Sequence, residues 1–210
     1  NTGSSMASRT AAAPARTRRS CVPELRLPRH SIALLAWLQL AAWPAHALSP
    51  LVLEVTVGAG IYRVKFDALL EAPVEGVGRV LQDYAGYAAL DPRIRSSKVI
   101  GVAPDGASLL KTRIRACAAF FCRDVQRVER VTFDDGVLVA EALPERSDMR
   151  SSLARTEWQA AGDRTRVRYE AEFTPDFWVP AVVSRGYAGR MLRESVLELF
   201  ENVEERAREP

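Results

Sequence analysis

Thr165-Arg166-Val167-Arg168-Tyr169-Glu170-Ala171-Glu172-Phe173-Thr174 alternates without a break: Val167, Tyr169, Ala171 and Phe173 fall on one face, Arg166, Arg168, Glu170 and Glu172 on the other. A period of two with one apolar face belongs to a half-buried β-strand. Past this stretch the period changes. Between Pro180 and Arg208, Leu192, Val196, Leu199 and Val203 recur at helical spacing, while Glu194, Glu198, Glu201, Glu204, Glu205 and Arg206 take the solvent side. One helix over that span is about 40 Å long at 1.5 Å per residue. A sheet with one polar face must cover its apolar face, and this helix is the element long enough to do so.

Upstream, five more strand-like runs precede this one: Ile94 to Val102, Ser108 to Cys117, Cys122 to Phe133, Val137 to Leu143 and Ser151 to Ala160. Pro104-Asp105-Gly106, Asp134-Asp135-Gly136, Pro144 to Asp148 and Ala161-Gly162-Asp163 separate successive runs with tight-turn chemistry, which predicts an antiparallel meander. Ile61 to Ala72 reads as the first strand, with Tyr62, Val64, Phe66, Ala68 and Leu70 inward; Val52 to Val57 alternates only weakly before Gly58-Ala59-Gly60. Pro73 and Glu75 open a helix, and a second short helix from Tyr84 to Leu90 stops at Asp91-Pro92, since Pro disfavours helical geometry in the residue before it. The fold class is α+β: a seven-stranded antiparallel sheet curved around a long C-terminal helix, with two short helices after strand 1.

Residues 1–47 read as an export signal region that is removed. Arg29 and His30 precede an apolar run from Ile32 to Trp43, and Pro44-Ala45-His46-Ala47 supplies an A-x-A cleavage signal. The run is only 12 residues long, too short for a hydrocarbon core that needs about 20. Residues 1–28 have no apolar periodicity and read as an overlong n-region, an upstream mis-start or added residues. Neither the twin-arginine hint at Arg18-Arg19 nor Cys21 has the apolar neighbours that its export or lipidation signal requires. The expected mature domain, 48–210, lies in the periplasm or is secreted.

Removing 47 of the 210 residues takes away six of the 29 basic residues and one of the 26 acidic ones, which turns the net charge from +3 to −2. Nothing in that balance calls for a nucleic-acid partner. Both histidines, His30 and His46, go with the leader, which excludes histidine-assisted nucleophiles and histidine metal sites from the mature domain. Cys117 and Cys122 remain, and in an oxidising compartment that pair reads as a disulfide closing a hairpin tip that would hold Phe120 and Phe121 at a rim. Two free buried thiols are the alternative.

The order of elements, together with Glu71-Ala72-Pro73-Val74, Asp83-Tyr84-Ala85-Gly86-Tyr87-Ala88-Ala89-Leu90-Asp91-Pro92 and Phe173-Thr174-Pro175, resembles the START-like (helix-grip, SRPBCC) superfamily, in particular its polyketide cyclase and coenzyme Q-binding branch. The similarity covers Tyr62 to Arg206. It implies a cavity between sheet and long helix that holds a lipid, quinone or polycyclic molecule, and in some members cyclisation or dehydration there. The export leader and the two cysteines depart from the cytoplasmic and mitochondrial members.

Within such a cavity the candidate ligand-binding residues are Tyr84, Tyr87, Ile114, Tyr169, Phe173, Trp178, Leu192 and Val196. Each has a plainer role beside it. Tyr84 and Tyr87 are equally readable as core aromatics, and Phe177-Trp178-Val179-Pro180 as a plug fixing the helix, or, if exposed, a ligand gate or membrane-touching lip. Lys111, Arg113, Arg115, Arg123, Arg127 and Arg130 read as a solvated outer face paired with Glu129 and other acids, or as a receiver for an anionic headgroup. Asp134-Asp135-Gly136 reads as a turn. For catalysis the only candidate is Glu141, a buried acid if its strand face points inward.

The expected function is therefore binding or carrying of an apolar small molecule by a monomer, with no cofactor and no metal, and with transient membrane contact as a further expectation. A cyclase, dehydratase or hydrolase in the same cavity and a protein-interaction module are the alternatives.

Overall fold

The computed structural model describes residues 48, 50–118, 121–180 and 186–209. Among the described residues there are eight strands and three α-helices: β1 (Val52–Gly58), β2 (Ile61–Leu70), α1 (Val74–Gln82), α2 (Tyr87–Leu90), β3 (Ile94–Val102), β4 (Ser108–Ala118), β5 (Phe121–Asp134), β6 (Val137–Ala142), β7 (Met149–Ala161), β8 (Arg164–Pro175) and α3 (Ala188–Ala207). The strands make one antiparallel sheet in the order β1-β2-β8-β7-β6-β5-β4-β3.

The expectation of seven strands is corrected to eight. Val52–Gly58 pairs with β2 through a two-residue turn in which Ala59 and Gly60 have φ of 52° and 79°. Positive φ at both positions marks the turn that matches strand twist. Of the span expected for the C-terminal helix, Ala188–Ala207 is α-helical. Residues 181–185 of the expected span lie outside the described residues, as do the leader, Phe120 and the Phe121 side chain.

Alternation places β8 as its charges demand. Val167 is fully buried, while Arg166 bonds Asp67 at 2.7 Å and Arg63 bonds Glu172 at 2.6 Å on the convex face. The concave face holds the core. Phe66 of β2 stacks on Phe200 of α3 with ring centroids 4.4 Å apart, and Tyr169 meets the same ring edge-on. Burying Phe200 and Val203 contributes about 1.5–3 kcal/mol each.

Polar ties hold α3 between the two edges of the sheet. On the β1 side Arg193 donates to the Leu53 carbonyl at 2.8 Å. On the β3 side Arg93 donates to Ser195 and pairs with Glu198, and Asn202 donates to the Leu90 carbonyl at 2.8 Å. The helix face differs from expectation at two places: Phe200 joins the stripe, and Glu204, expected in solvent, is buried. Its carboxylate accepts the Glu71 backbone N–H at 3.0 Å and pairs with Arg208, so a polar side chain locks the helix end to the end of β2. Gly76 makes the adjoining helix contact possible, since a Cβ there would lie 2.2 Å from the Ala207 carbonyl oxygen.

Candidate functional site

The packing of α3 leaves room on the rest of the concave face. Ala171 of β8, Ala154 of β7 and Ala140 of β6 are successive cross-strand partners in the middle of that face. All three remain half-buried although they lie beneath the helix layer. Small side chains at these positions leave part of that face open to solvent. At the N-terminal end of α3 that side of the sheet opens into an apolar hollow of 110 Å³. Tyr62 and Phe173, stacked at 5.1 Å, form one wall; Val125 and Met149 form the floor; Ala188, Met191 and Leu192 form the roof.

The disulfide stands at the rim of this hollow. Cys117 and Cys122 are cross-strand partners joined by an S–S bond of 2.11 Å, and Cys117 lines the opening. Next to them the Arg123 guanidinium sits 4.4 Å above the ring of Phe177, a cation–π contact that fastens the segment after β8 to the β4–β5 hairpin. Trp178 follows with 76% of its surface exposed. The plug reading of this segment therefore fails for Trp178, while Phe177 and Val179 pack inward and line the hollow.

Deeper along β5 the concave face turns polar. Arg127 and Glu129 lie on the same side of the strand, and Arg127 Nε approaches Glu129 Oε2 to 2.9 Å. Glu129 is only 2% exposed, and its removal from water pushes its carboxyl above the usual glutamate range despite the neighbouring guanidinium. Thr112, the cross-strand partner of Arg127, is fully buried. Tyr87 and Tyr169 close in from α2 and β8, near enough for the charges of Arg127 and Glu129 to act on their hydroxyls; burial pushes both phenols up. The Tyr87 hydroxyl donates to the Leu81 carbonyl at 2.6 Å and its ring meets Tyr84 edge-on.

Two expectations are corrected here. Glu141 is exposed, because Leu138, Ala140 and Ala142 are the inward residues of β6 and Glu141 faces out between Arg130 and Leu153. Glu129 is the buried acid instead. The outer-face reading of the basic residues fails for Arg123 and Arg127, which lie on the side of Val125 and Val131, while Arg130 faces out and pairs with Asp105. Positions 127 and 130 are three apart, and an odd spacing puts strand residues on opposite faces.

No family model matches this chain, and no curated protein does. Solved structures do. A START superfamily protein from Mycobacterium smegmatis superposes with a TM-score of 0.55 at 16% identity, covering 68% of this chain and 97% of its own. A STAR-related lipid transfer protein from Xanthomonas axonopodis gives 0.56 at 15% identity over 78% and 99%. An aromatase/cyclase from Streptomyces sp. R1128 gives 0.53 at 18% identity over 70% and 94%. This is the START-like helix-grip fold.

Within the START-like fold of this chain the expected site residues divide into four places. Phe173 and Leu192 line the apolar hollow, and Ile114 lies beside Val125 on the same face. Tyr84, Tyr87 and Tyr169 gather toward Arg127 and Glu129. Val196 is core, on the buried face of α3, and Trp178 stands outside. Sequence reasoning placed Arg127 and Glu129 on the outer face and did not single out Thr112. For Arg127 and Glu129 the signal was there in the parity they share with Val125 and Val131, which places β5's inward residues once two are known.

Proposed function

We propose that this protein binds an apolar small molecule between the sheet and α3 and carries it outside the cytoplasm without transforming it. The observation that carries the reading is the uncovered alanine row leading from the apolar hollow under the helix. Ligand pockets of small-molecule binders enclose about 300–1,000 Å³. A hollow of 110 Å³ accommodates part of such a ligand, and this reading places the rest over the half-buried Ala140, Ala154 and Ala171. The similar folds include a lipid transfer protein and an aromatase/cyclase, which supports an apolar ligand of either kind. The leader-like run from Ile32 to Trp43 and the Cys117–Cys122 bond favour a periplasmic or secreted location, because disulfides persist in oxidising compartments. Exposed Trp178 beside the hollow favours brief membrane contact during ligand exchange.

One observation favours a second reading, a cyclase or dehydratase. Glu129 is a buried acid beside two tyrosines, the kind of group that general acid-base catalysis employs. The two readings separate on one variant: an enzyme loses turnover in Glu129→Gln while still holding its ligand.

The binding reading is tested with an environment-sensitive fluorescent apolar probe. Saturable binding is expected, weakened about tenfold by Ala116→Trp, which fills the hollow, and unchanged by Glu141→Gln on the convex face. A folded protein that shows no saturable binding of any apolar probe would overturn it.

A further inference from the structure

Charge is shared unevenly over the convex face of the sheet. Across β2, β8 and β7 cations meet acids: Arg63 pairs with Glu172, Lys65 with Glu170, Arg166 with Asp67 and Arg155 with Glu157. The last two strands of the sheet, β4 and β3, differ. Their outward residues Arg95, Lys98, Lys111 and Arg113 make no ion pair among the described residues. Lys98 stands directly opposite Lys111, an arrangement that costs a sheet stability, and Arg113 stands opposite Ser96 and Gln126. Arg95 lines the same shallow depression as Arg113 and Arg115. The acids there are engaged: Asp124 pairs with Arg115 at 2.9 Å, and Asp148 accepts the Gln126 backbone N–H at 2.8 Å.

The outward side of α3 has the opposite sign. Glu194, Glu198, Glu201 and Glu205 are exposed and lie within a sector of about 60° at 3.6 residues per turn, away from Val196, Phe200 and Val203. Glu198 pairs with Arg93, and the other three make no ion pair among the described residues. Carboxylates four apart repel along a helix. α3 covers the concave side of the sheet with these glutamates pointing away from it, whereas Lys98, Lys111 and Arg113 point out from the convex side. One copy cannot bring its two charged surfaces together.

We propose that copies of this chain associate head to tail, the glutamate side of α3 from one copy docking on the convex face of β3 and β4 of the next. This goes beyond ligand binding and does not depend on it. Signs and lengths match: Glu194 to Glu205 spans about 16 Å at 1.5 Å per residue, and Lys111 to Arg115 about 14 Å at 3.4 Å per residue. Repulsion between whole copies is small, since the net charge is +3 for the chain and −2 without residues 1–47. Two different surfaces meet at this contact, so each pair keeps one of each free and the association continues to longer rows. Exposed ion pairs are weak one by one and screened by salt. The assembly therefore belongs to low ionic strength and high concentration, and the monomer expected from the sequence is its high-salt form.

The test is sedimentation velocity of the full chain over a concentration series, in about 20 mM and about 0.5 M sodium chloride. At low salt the weight-average mass is expected to rise with concentration beyond that of one chain, and high salt to weaken the association about tenfold or more. Charge reversal tests the contact from both sides: Lys111→Glu with Arg113→Glu, and Glu201→Lys with Glu205→Lys. Each double variant alone is expected to stay monomeric at low salt with an unchanged circular dichroism spectrum, because both of its surfaces then carry one sign. Arg95→Glu with Lys98→Glu, on the neighbouring strand, gives a second sheet-face variant with the same expectation. An equimolar mixture of a sheet-face and the helix variant is expected to associate again, since each supplies the sign that the other lacks. Wild-type chain that stays monomeric at low salt would overturn the inference, as would association that a variant keeps on its own or that salt leaves untouched. Binding of phosphatidylglycerol vesicles through Lys111 and Arg113 by a chain that remains monomeric would also overturn it, assigning these cations to a membrane.

Discussion

Glu129 and Glu141 lie on neighbouring strands, and their difference comes down to parity. Arg130 pairs with Glu141 across β5 and β6, so Glu129 faces the core and Glu141 faces solvent. The consequences for stability are opposite. Burial raises the carboxyl pKa of Glu129 above its unfolded value, so the folded state holds that proton more tightly than the unfolded state does. The resulting stability is complete below the ordinary glutamate range and is lost as pH rises through the folded value. Urea unfolding across a pH series should show this fall in the wild type and lack it in Glu129→Gln. Glu141→Gln should change stability by no more than about 0.5 kcal/mol at any pH. An identical slope in wild type and Glu129→Gln would mean that the carboxyl is not in a dry site.

At the scale of elements, closeness between helices and closure of the hairpin tip decide the geometry of the site. Gly76 lets α1 approach the end of α3, and a methyl group at this position has only the Ala207 backbone to meet. Gly76→Ala should destabilise the protein by about 1–3 kcal/mol, read as a lower melting temperature. Unchanged melting would show that α1 and α3 are not in that contact. Reduction of the Cys117–Cys122 bond is a second test. Its ring is short, so the loss should be about 2 kcal/mol. A loss near zero would argue that the hairpin tip holds its register without the bond.

Elements differ in how plainly the sequence displays them. β8 was legible because Arg166, Arg168, Glu170 and Glu172 mark its outer face without exception. β1 was not, because an edge strand covered on one side by part of α3 needs little apolar contrast; its inward residues are only half-buried. In β5 the pattern is broken from inside by Arg127 and Glu129, and charge at a core position reads in sequence as surface. The same happened at Glu204, whose partners, the Glu71 backbone and Arg208, come together only in the folded chain. The candidate site was thus hidden by the feature that sets it apart, a charged pair where the alternation calls for apolar residues.

For the whole molecule, α3 acts as the bar across a curved sheet, tied to β1 through Arg193 and to the opposite edge through Arg93 and Asn202. The alternation of residues foretold a helix over a sheet. It could not foretell the gap between them, which depends on side-chain volumes in three dimensions, on Ala140, Ala154 and Ala171 lying across from one another. Such a gap is what the proposed ligand binding requires. The direct test is native mass spectrometry of protein purified without detergent, followed by solvent extraction and denaturation. The container account predicts a reproducible mass increment from an apolar molecule, released on denaturation and recovered in the extract. Protein that is reproducibly free of any such molecule, and that takes none up from added apolar compounds, would contradict it.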